Sequence, residues 1–193
     1  MLMDYSFAQD VVGATITRAV GASDKVAAGG VFAIRCIDAN GQVKWEENLK
    51  NLVVNQGLQD MNTKYFKGVS YTATWYIGLY GAAASNNPTA ADTAASHPGF
   101  TEIVPYSNAT RPAATFDTAT TADPSVISNS ASPAVYTINA TSTVGGAFLI
   151  SDNTKSGTAG VLFSASDFAA PGDRSVSSGD TIQITYTFSL DAA

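Results

Sequence analysis

The stretch Thr74-Trp75-Tyr76-Ile77-Gly78-Leu79-Tyr80-Gly81 is the densest aromatic and apolar run in the sequence. Trp75, Ile77 and Leu79 fall on one face of a two-residue repeat, and two tyrosines fall on the other, which is the period of a β-strand. Large residues on both faces predict a central strand that is covered on both sides. Because Gly78 has no side chain, we expect a neighbouring segment or an aromatic ring to approach the backbone there.

Strand patterns continue on both sides of this stretch. Residues 31–37 follow the period of a strand, with Phe32, Ile34 and Cys36 on one side, and residues 38–41, Asp-Ala-Asn-Gly, are typical of a tight turn that leads into a partner strand over residues 42–46. Residues 181–190 carry an apolar residue at every second position opposite Gln, Thr and Ser. This last pattern predicts a strand with one face on the core and the other in water. Shorter strands are predicted at residues 99–104, 115–117, 126–128, 134–140, 147–151 and 160–164.

One helix is predicted between the early strands and the aromatic stretch. Asn55 is placed to cap it, and Gly68 is placed to end it after two lysines in the last turn. Leu58, Met61 and Tyr65 recur at helical spacing, so we expect them to form a face that packs against a sheet.

Many short strands, one early helix and no repeating strand-helix alternation predict an all-β fold, a two-layer β-sandwich with a jelly roll preferred. The chain has 193 residues, of which 45% are hydrophobic, enough for one domain with a real core. We assign residues 29–193 to this domain and residues 1–28 to an N-terminal arm or edge strands. The two descriptions of residues 1–28 have equal weight at this point.

Composition excludes several classes of function. The net charge is −6 and the basic residues are scattered, which argues against direct binding of nucleic acid. No apolar run is long enough to predict a membrane span, and the first residues lack the pattern of a secretory signal, so we expect assembly in a cytoplasm. The single cysteine, Cys36, cannot form an internal disulfide and is expected to point inward.

The only histidine, His97, follows Ser96 and lies near Asp92, which invites comparison with a hydrolase triad. A nucleophile next to its base in sequence rarely presents its oxygen to that base, and no nucleophile-elbow motif is present. A loop histidine is therefore the favoured interpretation. One histidine and one cysteine far apart also make a zinc site improbable.

Carboxylates elsewhere could form an acid/base pair or an oxygen cage for calcium. Turn stabilisation is the favoured role, because Asp173 and Asp180 adjoin glycines, where Asp commonly bonds its own backbone. No phosphate-binding glycine motif is present, and we expect no cofactor. The carboxylates considered are Glu46, Glu47, Asp167, Asp173 and Asp180.

Aromatic residues in and before the central stretch have two possible roles. They could form a carbohydrate-binding surface, or they could belong to the core, which is the commoner place for aromatic residues in a sandwich. We favour the core. The residues concerned are Tyr65, Phe66, Tyr71, Tyr76 and Tyr80.

Five segments of the sequence stand out together: residues 55–58 (NQGL), 75–79 (WYIGL), 91–102 (ADTAASHPGFTE), 106–112 (YSNATRP) and 178–186 (SGDTIQITY). Together they resemble a group of tailed-bacteriophage virion proteins, over roughly residues 31 to 190. The resemblance implies a jelly-roll fold and a virion part without catalytic residues, such as a head decoration or cementing protein, although some proteins of this group are tail or fibre components.

We therefore expect a non-enzymatic protein of the virion that binds the major capsid protein and itself, as a dimer or trimer. The alternative is a tail or tail-fibre component that contacts a host surface glycan. The N-terminal arm is expected to contact the shell or a neighbouring copy, because its apolar residues are too widely spaced to build a core alone. The interface candidates in the arm are Tyr5, Phe7, Val11, Val12 and Ile16.

Overall fold

A computed structural model describes residues 26–68, 70–71, 74–81, 87–168 and 172–192. These residues form two antiparallel sheets and one short helix, which confirms the predicted all-β sandwich. The jelly-roll connectivity stays a prediction. In chain order the elements are β1 (Val26–Ile37), β2 (Val43–Lys50), β3 (Leu52–Val53), α1 (Asn55–Lys67), β4 (Trp75–Gly81), β5 (Thr101–Ile103), β6 (Ala113–Ala114), β7 (Ser125–Ser128), β8 (Ala134–Thr137), β9 (Ser142–Ile150), β10 (Leu162–Asp167), β11 (Arg174–Val176) and β12 (Thr181–Ala192).

The first sheet has five strands in the order β2-β1-β12-β7, with β8 also paired to β12. Strands β1 and β12 pair along their whole length, from Val26 opposite Ala192 to Ile37 opposite Thr181. The second sheet has seven strands in the order β3-β10-β9-β4-β5, with β6 paired to β4 and β11 to β9. The aromatic stretch, β4, is therefore a central strand as predicted.

The core lies between the two sheets. From β1 the alternating residues Phe32, Ile34 and Cys36 point into it, and the matching row on β12 continues it. The rings of Phe32 and Tyr186 lie 4.6 Å apart between centroids. The Tyr136 hydroxyl donates to the carbonyl of Ile77 at 2.6 Å, so a hydrogen bond between the sheets accompanies the apolar packing.

The two sheets differ in length, and this difference leaves one end of the sandwich open. Strands β1 and β12 have 12 residues each, which corresponds to about 40 Å. The opposing strands β4, β9 and β10 have 7, 9 and 6 residues. On β12, Tyr186 is fully buried, whereas Phe188 and Leu190 are only partly buried. The first sheet therefore extends past the second, and α1 lies beside the gap.

Helix α1 begins and ends where the sequence predicts, but the residue at its N-cap differs from the predicted one. The residue at the N-cap is Val54, without a side-chain hydrogen bond to the helix, so the expected capping by Asn55 is wrong. Gly68 ends the helix in the left-handed conformation, with φ of 65°, as expected.

The predicted packing face of α1 is correct for Met61 and wrong for Leu58 and Tyr65. Leu58 and Tyr65 are exposed, and Gly57 is buried against β10 instead. A Cβ at Gly57 would lie 2.4 Å from the carbonyl oxygen of Phe163. The Gly57 backbone therefore lies against β10, and Met61, one turn later, packs against the core.

Several strand bounds differ from those predicted. The strand predicted at residues 115–117 lies at Ala113–Ala114, and β9 begins at Ser142 rather than at residue 147. Strand β11, Arg174–Val176, has no counterpart in the prediction. Residues 26–28, which we assigned to the N-terminal arm, belong to β1. The rest of the predicted arm lies outside the described residues.

Candidate functional site

The segment around His97 is held by contacts within its own loop. Both oxygens of the buried Asp92 accept hydrogen bonds from Thr89, each at 2.9 Å. The imidazole stacks on Phe100, with 4.3 Å between ring centroids, and its Nδ1 lies 2.9 Å from the Phe100 carbonyl oxygen. The backbone N–H of Ser96 donates to Thr93. These residues shape a loop and do not have the geometry of a triad.

Asp180 stabilises its own turn, as its place beside Gly179 predicts. One of its carboxylate oxygens accepts hydrogen bonds from the Ser177 backbone N–H at 2.8 Å and from the Lys44 ammonium at 2.7 Å. Cys36 lies in the core with its sulfur 3.8 Å from the same oxygen. Burial raises the pKa of the thiol to about 11, and the nearby charge of Asp180 adds to the effect. The thiol is therefore protonated at neutral pH.

The other carboxylates considered above are spread over the sheets. Glu46 and Glu47 pair with Arg35 and Arg174, on β1 and β11. Asp167 accepts a hydrogen bond from the Tyr80 hydroxyl at 3.0 Å, and burial raises the pKa of this carboxyl above its usual value. Over the described residues, no group of three His, Cys, Asp or Glu side chains is arranged to hold a metal ion.

A buried ion pair between Glu102 and Arg111 was missed by the sequence reasoning. The Arg111 guanidinium donates to both Glu102 oxygens, at 2.9 and 2.6 Å, and only 2% of the arginine is exposed. It also donates to the carbonyls of Asp152 and Gly157. The arginine thereby ties β5, its own loop and the loop between β9 and β10 together, which makes it a structural residue and not a ligand-binding one.

The five aromatic residues considered as one group lie in two places. Tyr80 is buried and donates a hydrogen bond to the Ser166 carbonyl at 2.8 Å, and Tyr76 packs against the same part of the core. Tyr65, Phe66 and Tyr71 are 76%, 77% and 77% exposed. Core placement is thus correct for the pair in β4 and wrong for these three, which we call the aromatic rim.

The aromatic rim borders a large apolar groove at the open end of the sandwich. The described residues enclose a cavity of about 710 Å³ there, within the range of ligand-binding clefts. Helix α1 forms one wall, the overhanging ends of β1, β7 and β12 form the other, and β4 and β10 close the inner end. The groove is lined mainly by apolar residues, among them Val26, Met61, Trp75, Phe116, Phe188 and Leu190.

Local contacts hold the rim in position. The rings of Tyr65 and Phe66 pack edge to face, 4.9 Å apart between centroids. The Lys64 ammonium donates to the Ser70 carbonyl at 2.7 Å and lies 3.7 Å from Asp60, which fastens the segment carrying Tyr71 to the end of the helix. The result is an apolar surface with few polar groups, suited to binding and not to acid/base chemistry.

Sequence reasoning found the rim residues but not the groove. The apolar row of β12 was visible in the sequence, yet nothing local indicates that its last two inward residues, Phe188 and Leu190, lie beyond the opposing sheet. Tyr5, Phe7, Val11, Val12 and Ile16, the predicted interface residues, lie outside the described part of the chain. The one described helix, α1, is too short and too polar to cross a membrane.

No protein-family model matches the sequence, and a comparison with curated proteins finds no significant match.

Proposed function

We propose that this chain is a non-enzymatic structural protein of a tailed-bacteriophage virion that binds the major capsid protein and stabilises the shell. The observation that carries the proposal is the aromatic rim, where three large rings stand more than three-quarters exposed beside an apolar groove. Exposed aromatic residues are enriched at the centres of protein interfaces. The charged groups that could suggest catalysis hold the chain's own loops instead.

Contacts between the phage-like segments support the proposal. The Gln56 side-chain oxygen accepts a hydrogen bond from the Ala94 backbone N–H at 2.9 Å, which joins the segment of residues 55–58 to that of residues 91–102. The Glu102–Arg111 pair joins the latter to the segment of residues 106–112. Three of the five segments that carry the resemblance thus contact one another, as expected if the resemblance reflects a common fold.

Repeated weak contacts suit a protein that coats a shell, because sites joined in one assembly raise each other's effective concentration. We therefore propose a dimer or trimer on the particle. Images of the particle at sufficient resolution to separate copies test this, and isolated single copies at every position would contradict it.

A second candidate function is supported by the same rim. The flat apolar faces of Tyr65, Phe66 and Tyr71 could stack on the rings of a sugar, as expected for a tail or tail-fibre component that contacts a host glycan. Antibody labelling of purified particles distinguishes the two functions. Label over the whole capsid supports shell binding, whereas label confined to the tail contradicts it and favours the glycan-binding alternative.

The rim itself is tested by re-binding to particles stripped of this protein. We expect Tyr65→Ser combined with Phe66→Ser to weaken re-binding at least about tenfold, because truncation of interface anchors commonly costs more than about 1.4 kcal/mol. Val135→Ser is the matched control, since Val135 is also exposed but lies on β8, away from the groove. Equal re-binding of the rim variant and the control would exclude the rim from the interface.

A further inference from the structure

We propose that the segment before β1, residues 1–25, folds back onto its own molecule and that its part nearest β1, around Ile16 and Val20, fills the apolar groove. The inference concerns the isolated protein and does not depend on the proposed function. It rests on the shape of the groove, on the position at which the N-terminal segment joins it, and on the residues that this segment contains.

The groove is the open end of the core. On β12 the inward row passes from Tyr186, which is buried, to Phe188 and Leu190, which are partly exposed and line the groove. On β1 the alternation that points Phe32 inward places Gly30 and Ala28 on the same face. Val26 lies two residues before Ala28 on this face and lines the groove, so the open end of the core continues to the first residue of β1. Apolar surface left in water is unfavourable by about 25 cal/mol per Å², so an apolar occupant would stabilise the fold.

The N-terminal segment joins the groove directly. Val26 is the first residue of β1, is 71% exposed and lines the groove, so residue 25 is one peptide bond from the cavity. Val20 lies six residues before Val26 and Ile16 ten, which limits them to about 20 and 33 Å from it. A tethered segment also has an effective concentration in the millimolar range, which favours it over a second copy in dilute solution.

The residues of the segment match an apolar groove. Large apolar side chains are interspersed with Gly, Ala, Ser and Thr and with a few charged residues, so apolar side chains can enter the cavity while the charged ones stay in water. The segment also cannot build a core by itself, because these side chains are widely spaced. The apolar residues are Leu2, Tyr5, Phe7, Val11, Val12, Ile16 and Val20.

Hydrogen–deuterium exchange of the full-length protein tests the proposal. We expect amides in residues 14–24 to exchange at least tenfold more slowly in the wild type than in Ile16→Asp/Val20→Asp, where two charges would be placed in the groove. Binding of the dye 8-anilinonaphthalene-1-sulfonate, which reports exposed apolar surface, should rise several-fold in the same variant. Thr15→Asp/Thr17→Asp is the matched control, because these positions alternate with Ile16, and it should behave like the wild type.

Three results would overturn the proposal. Wild-type exchange as fast as that of the variant would show that the segment does not occupy the groove. Slow exchange that appears only as protein concentration rises would assign the groove to the segment of a second copy. Slow exchange together with equal dye binding in the wild type and the variant would place the segment elsewhere on the molecule.

Discussion

The ring of Phe148 lies directly over the backbone of Gly78, its cross-strand neighbour in the second sheet. A Cβ added at Gly78 would lie 2.1 Å from the Phe148 Cζ atom, far inside contact distance. The phenyl ring is itself buried, and the Arg111 guanidinium lies 5.4 Å from its centroid. The space that Gly78 leaves in β4 is thus filled by an aromatic ring, as the sequence predicted.

Gly78→Ala should therefore lower the free energy of unfolding by about 1–3 kcal/mol, the usual cost of overpacking a core. Urea denaturation measures this loss. The matched control is Gly29→Ala in β1, where an added Cβ meets no atom within 4 Å, and we expect a change within about 0.5 kcal/mol. Equal effects at the two glycines would contradict the packing argument.

Gly57→Ala should also destabilise the protein, against the usual preference of helices. Replacing glycine by alanine inside a helix normally stabilises it by about 1 kcal/mol. Here the new methyl group would meet the Phe163 carbonyl at 2.4 Å and push α1 away from β10, so we expect a loss of about 1–3 kcal/mol. Thermal and urea denaturation measure the sign of the change in the free energy of unfolding. Leu58→Ala, at an exposed neighbouring position, is the control, and a stabilised Gly57→Ala protein would show that the helix is not held through this contact.

Arg111→Met should be among the most destabilising substitutions in the chain. It leaves the Glu102 carboxylate buried without its partner, which typically costs about 3–5 kcal/mol. Arg111→Met combined with Glu102→Gln should recover part of the loss, because the buried charge is then gone. Arg35→Met breaks an exposed pair with Glu46 and should cost less than about 1 kcal/mol in the same urea denaturation experiment. A loss at Arg111 as small as that at Arg35 would refute the prediction.

Stability should fall on the alkaline side, in part through Cys36. Burial raises the pKa of its thiol from 9.0 to about 11, so above pH 9 the unfolded chain releases this proton more readily than the folded chain. The contribution of the protonated thiol to the free energy of unfolding is complete below pH 9 and is lost as the pH rises through 11. Urea denaturation from pH 8 to 10.5 should give a shallower decline for Cys36→Ala than for the wild type. Parallel declines would show that the thiol does not contribute.

Local patterns in the sequence were sufficient for features that are decided within a few residues. The turn after β1 is one example, since Asp38 bonds the backbone of Asn40 and Gln42, and Gly41 has φ of 82°. The bounds of α1 and the two-faced burial of β4 are others. In each case the deciding forces act within a few residues: turn chemistry, helix termination and the period of side chains along a strand.

Tertiary structure decided what depends on distant partners. Which face of α1 meets the sheet depends on the backbone contact between Gly57 and Phe163, so helical spacing selected Met61 correctly but also two exposed residues, Leu58 and Tyr65. The Glu102–Arg111 pair forms because β5 and the loop before β6 meet beside Phe148 of β9. The apolar groove exists because β1 and β12 extend past the end of the opposing sheet. Strand length and register are set by pairing between residues far apart in sequence, and no local pattern carries that information.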